Sequence, residues 1–110
     1  MEKFAARSTA LEFTEDGKLF MAGCVACTVL NLGAATVTLK INGGNPIRMN
    51  FNQALNQFPQ PYIFPAVEGL VYIDDLEFTF GNGENLLHIN RIFKVPLLAE
   101  VEKTLYNAPK

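Results

Sequence analysis

Tryptophan is missing from this 110-residue chain, histidine occurs once and cysteine only twice. Two thiols cannot build the disulfide framework that small secreted domains rely on, which agrees with synthesis in a reducing compartment. Charge is sparse as well. Charged residues make up 18% of the chain, the net charge is −2, and the nine Lys and Arg are scattered rather than grouped. That leaves no basic footprint for a phosphate backbone, so nucleic acid is not an expected ligand. No run of about 18 consecutive apolar residues occurs, so no membrane span is expected. The opening MEKFAARSTALEF is interrupted by Glu2, Lys3, Arg7 and Glu12 and lacks the apolar stretch of a Sec-type signal. The chain is expected to begin soluble in a cytoplasm.

Apolar residues, by contrast, are plentiful. They make up 49% of the chain, and its mean hydropathy is +0.14. The length suits one core, and a small domain with this much apolar content is expected to meet another protein with part of its surface. The stretch Cys24 to Ile41 organises the reading. Ala35, Val37, Leu39 and Ile41 alternate with Thr36, Thr38 and Lys40, the period of a half-buried strand. Cys24 to Leu30 is apolar on both faces, as a central strand covered by its own domain or a partner would be. Asn31-Leu32-Gly33 turns between them.

Other segments extend this pattern. Leu11 and Phe13, then residues 18–22, flank Asp16-Gly17, a two-residue signal that predicts a hairpin of strands 9–14 and 18–22. Asn42-Gly43-Gly44-Asn45 ends the organising stretch, and Ile47, Met49 and Phe51 alternate after it. Leu70 to Ile73 predicts a strand broken by Asp74-Asp75. Leu76, Phe78 and Phe80 form the next, and Leu86 to Phe93 the last, with Leu87 and Ile89 on one side. Eight candidate strands predict an all-β antiparallel sandwich or jelly-roll-like domain over 9–95, after a polar arm at 1–8. Pro96, followed by Leu97, Val101 and Leu105 every four residues, predicts a short helix or arm over 96–110 that must dock on this domain or on a neighbouring subunit.

Few residues have the chemistry of a site. Cys24-Val25-Ala26-Cys27 is a CxxC, but on one strand residues three apart point to opposite faces, so it reads as two packed thiols rather than a zinc or redox pair. His88 lacks an assignable partner and reads as a residue of a sheet face or interface, and no catalytic role follows. Asp74, Asp75 and Glu77 could offer oxygens to calcium but lack the spacing of a known loop; solvated charges are the default. The Gly-rich turns lack the Lys-Ser/Thr of a nucleotide loop. No cofactor is expected.

The segment 52–65, with prolines at 59, 61 and 65 and amides at 53, 56, 57 and 60, predicts an extended loop or sheet edge. Its aromatics either cover the core or face a partner. Phe58 and Tyr62 with Gln57 and Gln60 could stack on and bond a glycan. The same residue types, with Phe64, suit a protein interface, and the lack of tryptophan, the commonest sugar platform, favours the interface.

The run VLNLGAATVTLKINGG, the proline-containing loop and YIDDLEFTFGNGENLL resemble the small β-sandwich proteins of bacteriophage virions. The elements that carry this are Asn31, Gly33, Val37, Thr38, Pro59, Pro65, Asp75 and Phe78, across residues 24 to 92. The resemblance implies a capsid, decoration, spike or tail subunit, made in a host cytoplasm and carried in the virion. It implies assembly with copies of itself and other virion proteins, and no catalytic residues. Terminal arms and surplus apolar surface agree with self-assembly.

Overall fold

The alternating segments form strands, and the strands lie in two layers. The computed structural model describes residues 4–50 and 60–96. Among them are β1 (Phe4–Phe13), β2 (Gly17–Cys24), β3 (Ala26–Asn31), β4 (Val37–Ile41), β5 (Ile47–Met49), β6 (Tyr62–Phe64), β7 (Tyr72–Phe80) and β8 (Leu87–Pro96). One antiparallel sheet has the order β1-β8-β3-β6 and the other β2-β7-β4-β5. The protein is an all-β sandwich. Strands β1 and β8, β2 and β7, β3 and β6, and β4 and β5 are paired neighbours, so the chain is one long hairpin rolled up, with its tip between β4 and β5. That is the topology of a jelly roll.

This arrangement changes several expectations. Strands β1 and β2 do not form a hairpin. Asp16 carries the chain from one sheet to the other, where its Oδ1 accepts a hydrogen bond of 2.7 Å from Phe80 N–H. A turn signal is local, whereas β1 is paired with β8, about eighty residues away in sequence. Asp74-Asp75 does not break a strand, because β7 runs through it. Asn42 takes the place of a next ladder residue there: its Oδ1 accepts from Asp75 N–H at 2.8 Å and its Nδ2 donates to Asp74 Oδ1 at 2.7 Å. Strand β1 starts at Phe4, inside the stretch read as an arm. Pro96 ends β8 opposite Phe4 rather than opening a helix. It is tolerated because β3 starts only at Ala26, opposite Ile92, so β8 has one neighbour beyond that point. Residues 97–110, with the helix expected there, lie outside the described residues. Segment 52–65 does hold a sheet edge, since β6 is the outermost strand of its sheet.

The core fills the space between the layers. Val37 and Leu39 of β4, Leu76 and Phe78 of β7, Val29 of β3, and Leu87 and Ile89 of β8 are fully buried. Phe13 and Phe78 pack with ring centroids 4.6 Å apart. Strand β3 buries Cys27, Val29 and Asn31 and leaves Ala26, Thr28 and Leu30 half-buried on its outer face. The one buried polar side chain given by that alternation, Asn31, is fully used. Its Nδ2 donates to the carbonyls of Ala35 and Met49, both at 2.8 Å, and its Oδ1 accepts from Gly33 N–H at 3.1 Å. At Gly33 an added Cβ would stand 2.3 Å from the Glu84 carbonyl oxygen, so only glycine fits.

Two substitutions test this core by urea denaturation. Phe78→Ala should cost about 3–5 kcal/mol through the cavity it leaves. Asn31→Ala leaves buried backbone groups unpaired and should cost about 1–3 kcal/mol for each group that finds no new partner. Losses below about 0.5 kcal/mol for either, the range of ordinary surface substitutions, would contradict these placements.

Candidate functional site

The two thiols are the most chemically suggestive pair, and the fold places both in the core. They do not share a strand. Cys24 ends β2 in one sheet, the chain bends at Val25, and Cys27 lies in β3 of the other sheet. The expected opposite orientation is therefore wrong, since each side chain points inward from its own layer. Both cysteines are free and buried. Burial pushes the Cys27 thiol from 9.0 up to about 12, with Cys24 adding to the rise and Arg91 opposing it. Burial also raises Cys24. Protonated, enclosed thiols are poor nucleophiles and poor metal ligands.

The acidic residues do not converge either. Asp74 and Asp75 alternate across β7, and Glu77 stands in register between Lys18 and Lys40. Among the described residues no three His, Cys, Asp or Glu gather as a metal site. His88 lies across from Glu12, with Nδ1 to Oε1 at 3.8 Å. Among the described residues no helix is long and apolar enough to cross a membrane.

Of the loop residues singled out in sequence, Gln57 and Phe58 lie outside the described residues, as do Leu97, Val101 and Leu105. Gln60 is exposed. Tyr62 is half-buried, and Phe64, expected at an interface, is 6% exposed and belongs to the core. The physical reason is stacking. Phe64 meets Tyr62 edge-on at 5.2 Å and Tyr72 at 5.3 Å, so its faces are used inside the molecule.

Those aromatics do position a surface that the sequence reading missed. The Tyr72 hydroxyl donates to the Pro65 carbonyl at 2.6 Å, which fastens the base of the β6–β7 connection. Leu70 N–H donates to the Val67 carbonyl at 3.0 Å and closes a turn at its tip. This turn exposes apolar side chains. Leu70, Val71 and Ile73 are 58, 56 and 66% exposed. Across from Ile73, β2 carries a bulge between Ala22 and Cys24, where Gly23 has φ 86. Such a bulge with a left-handed glycine bends the strand end. The bend helps to form a cleft of about 430 Å³ between Gly23 and Val25, the 66–71 connection, and Phe4 and Lys94 of the β1–β8 pair. Exposed Phe20 is diagonal to Ile73 on the outer face and extends the apolar surface. The one sequence signal was Leu70-Val71-Tyr72-Ile73, an apolar run without alternation that reads as a strand, whereas β7 begins only at Tyr72.

Comparison with protein-family models, with curated proteins and with solved structures gives no match to this chain.

The thiol geometry makes a measurable claim. An aromatic disulfide reagent at neutral pH should label neither cysteine in the folded protein and both in denaturant. A raised folded-state pKa means that the unfolded chain loses its proton first. Stability linked to Cys27 is thus fully present below pH 9.0 and is lost as pH rises through the window up to about 12. Labelling of the folded protein at the unfolded rate would show that the thiols are open to solvent.

Proposed function

We propose that this chain is a non-catalytic structural subunit that assembles with copies of itself, as a component of a bacteriophage particle such as a capsid, decoration, spike or tail. Jelly rolls serve viral capsid proteins and lectins alike, so the topology alone does not choose between assembly and glycan binding. What supports assembly is the apolar end of the sandwich. Leu70, Val71, Ile73 and Phe20 leave large apolar side chains in water together, and such patches mark protein contact sites. The glycan reading draws no comparable support from the aromatics described, because Tyr62 and Phe64 stack on one another and on the core. Phage structural genes, such as those for portal, terminase or tail proteins, are expected beside the gene for this chain.

Multi-angle light scattering tests the reading directly. The full chain should form a discrete oligomer, and Leu70→Asp or Ile73→Asp should weaken association roughly tenfold or more while leaving the thermal transition in place, a change of about 1.4 kcal/mol per decade. A wild-type chain that stays monomeric up to its solubility limit would overturn the proposal.

A further inference from the structure

The cleft beside the apolar end sits next to the place where the chain leaves the sandwich. Phe4, Val25, Val67, Leu70 and Val71 give it apolar walls, and Lys94 lies at its edge with Nζ 4.2 Å from the Phe4 ring. Lys94 is two residues before Pro96, the last described residue. The fourteen residues that follow, 97–110, carry the stripe Leu97, Val101 and Leu105 with Glu100 and Glu102 beside it. Apolar stripe and apolar wall match; the cleft lining carries one charge of each sign, Lys94 and Glu68, and the segment offers both, Glu100 and Glu102 beside Lys103. Grooves of this kind take amphipathic segments through anchors spaced by about one helical turn.

The direction of the chain decides whose segment enters. Beyond Ile92, β8 pairs only with β1, so Phe93 to Pro96 run past the start of β3 and away from the sandwich. At about 3.3 Å per residue these four residues carry the chain roughly 13 Å outward. Entry into its own cleft needs an immediate reversal after Pro96. Positions 97–106 contain no Gly, Pro, Asn, Asp or Ser, the residues that make tight turns.

We infer that the segment 97–110 of a second copy occupies this cleft. The inference rests on the self-assembly reading and names the contact that carries it. Two copies related by a two-fold axis then exchange segments, each cleft receiving the other's stripe.

Full-length variants test it by sedimentation velocity. Val71→Asp spoils the cleft, and Val71 is exposed, so the fold should be kept. The double variant Val101→Glu/Leu105→Glu spoils the segment. Each alone should associate at least roughly tenfold more weakly than the wild-type chain. An equimolar mixture of the two should recover a heterodimer, because one keeps an intact segment and the other an intact cleft. Wild-type association by the double variant would overturn the inference and leave the self-assembly proposal standing. A mixture that stays monomeric would overturn it too. A monomeric wild-type chain would remove both.

Discussion

One buried amide holds the point on which the rolled topology turns. Asn31 is the last residue of β3, and its side chain bonds the backbone at Gly33, Ala35 and Met49. These groups belong to the crossover between the sheets and to the end of β5. The crossover is also pressed against the β7–β8 connection, where Leu32 and Gly33 N–H groups meet the Leu86 carbonyl and Ala35 N–H meets the Glu84 carbonyl. A buried polar group without a partner costs about 1–3 kcal/mol, so this part of the chain has one satisfactory course. Leaving β3 in that direction sends β4 into the opposite sheet beside β7, and the rest of the roll follows.

The β6–β7 connection is finished differently from the connections at the Asn31 end. At the Asn31 end, Asp16 bonds Phe80 N–H and Asn85 Nδ2 bonds the Thr14 carbonyl, so connections from both sheets are tied by polar contacts. At the other end Asn42 ties the β4–β5 turn to β7, while Tyr72 fastens the base of the β6–β7 connection and exposed Leu70 and Val71 follow its Glu68-Gly69 turn. A protein that had only to stay soluble gains nothing from Leu70 and Val71 in water. The core between the ends is filled by side chains such as Phe78, Leu39 and Ile89. The exposed Leu70 and Val71 are the feature on which the proposed assembly role rests.

Much of the fold was legible because alternation reports burial directly. Period alone puts Val37 with Leu39 and Leu76 with Phe78 on the apolar face of a half-buried strand and Leu87 with Ile89 on one side of another, and all six are buried. Alternation does not say which sheet a strand joins. Asp16-Gly17 therefore looked like a hairpin, and Cys24 and Cys27 looked like positions on one strand, although the bend at Val25 puts them in different layers. The acidic pair Asp74-Asp75 looked like a break because the compensating partner, Asn42, is remote in sequence. The apolar end was the hardest feature to see. Its residues come from β2, the 66–71 connection and the β1–β8 pair, and only the register brings them to one place.

The strand edges differ from one flank of the sandwich to the other. Among the described residues, one flank of the sandwich ends in β5 and β6, three residues each, and the other in β1 and β2, of ten and eight residues. A short edge offers a neighbour too few free backbone groups to hold it, whereas a long edge can accept one. Among the described residues, the β1 and β2 flank therefore offers the longer run of edge backbone, and an added strand would find more donors and acceptors there than along β5 and β6.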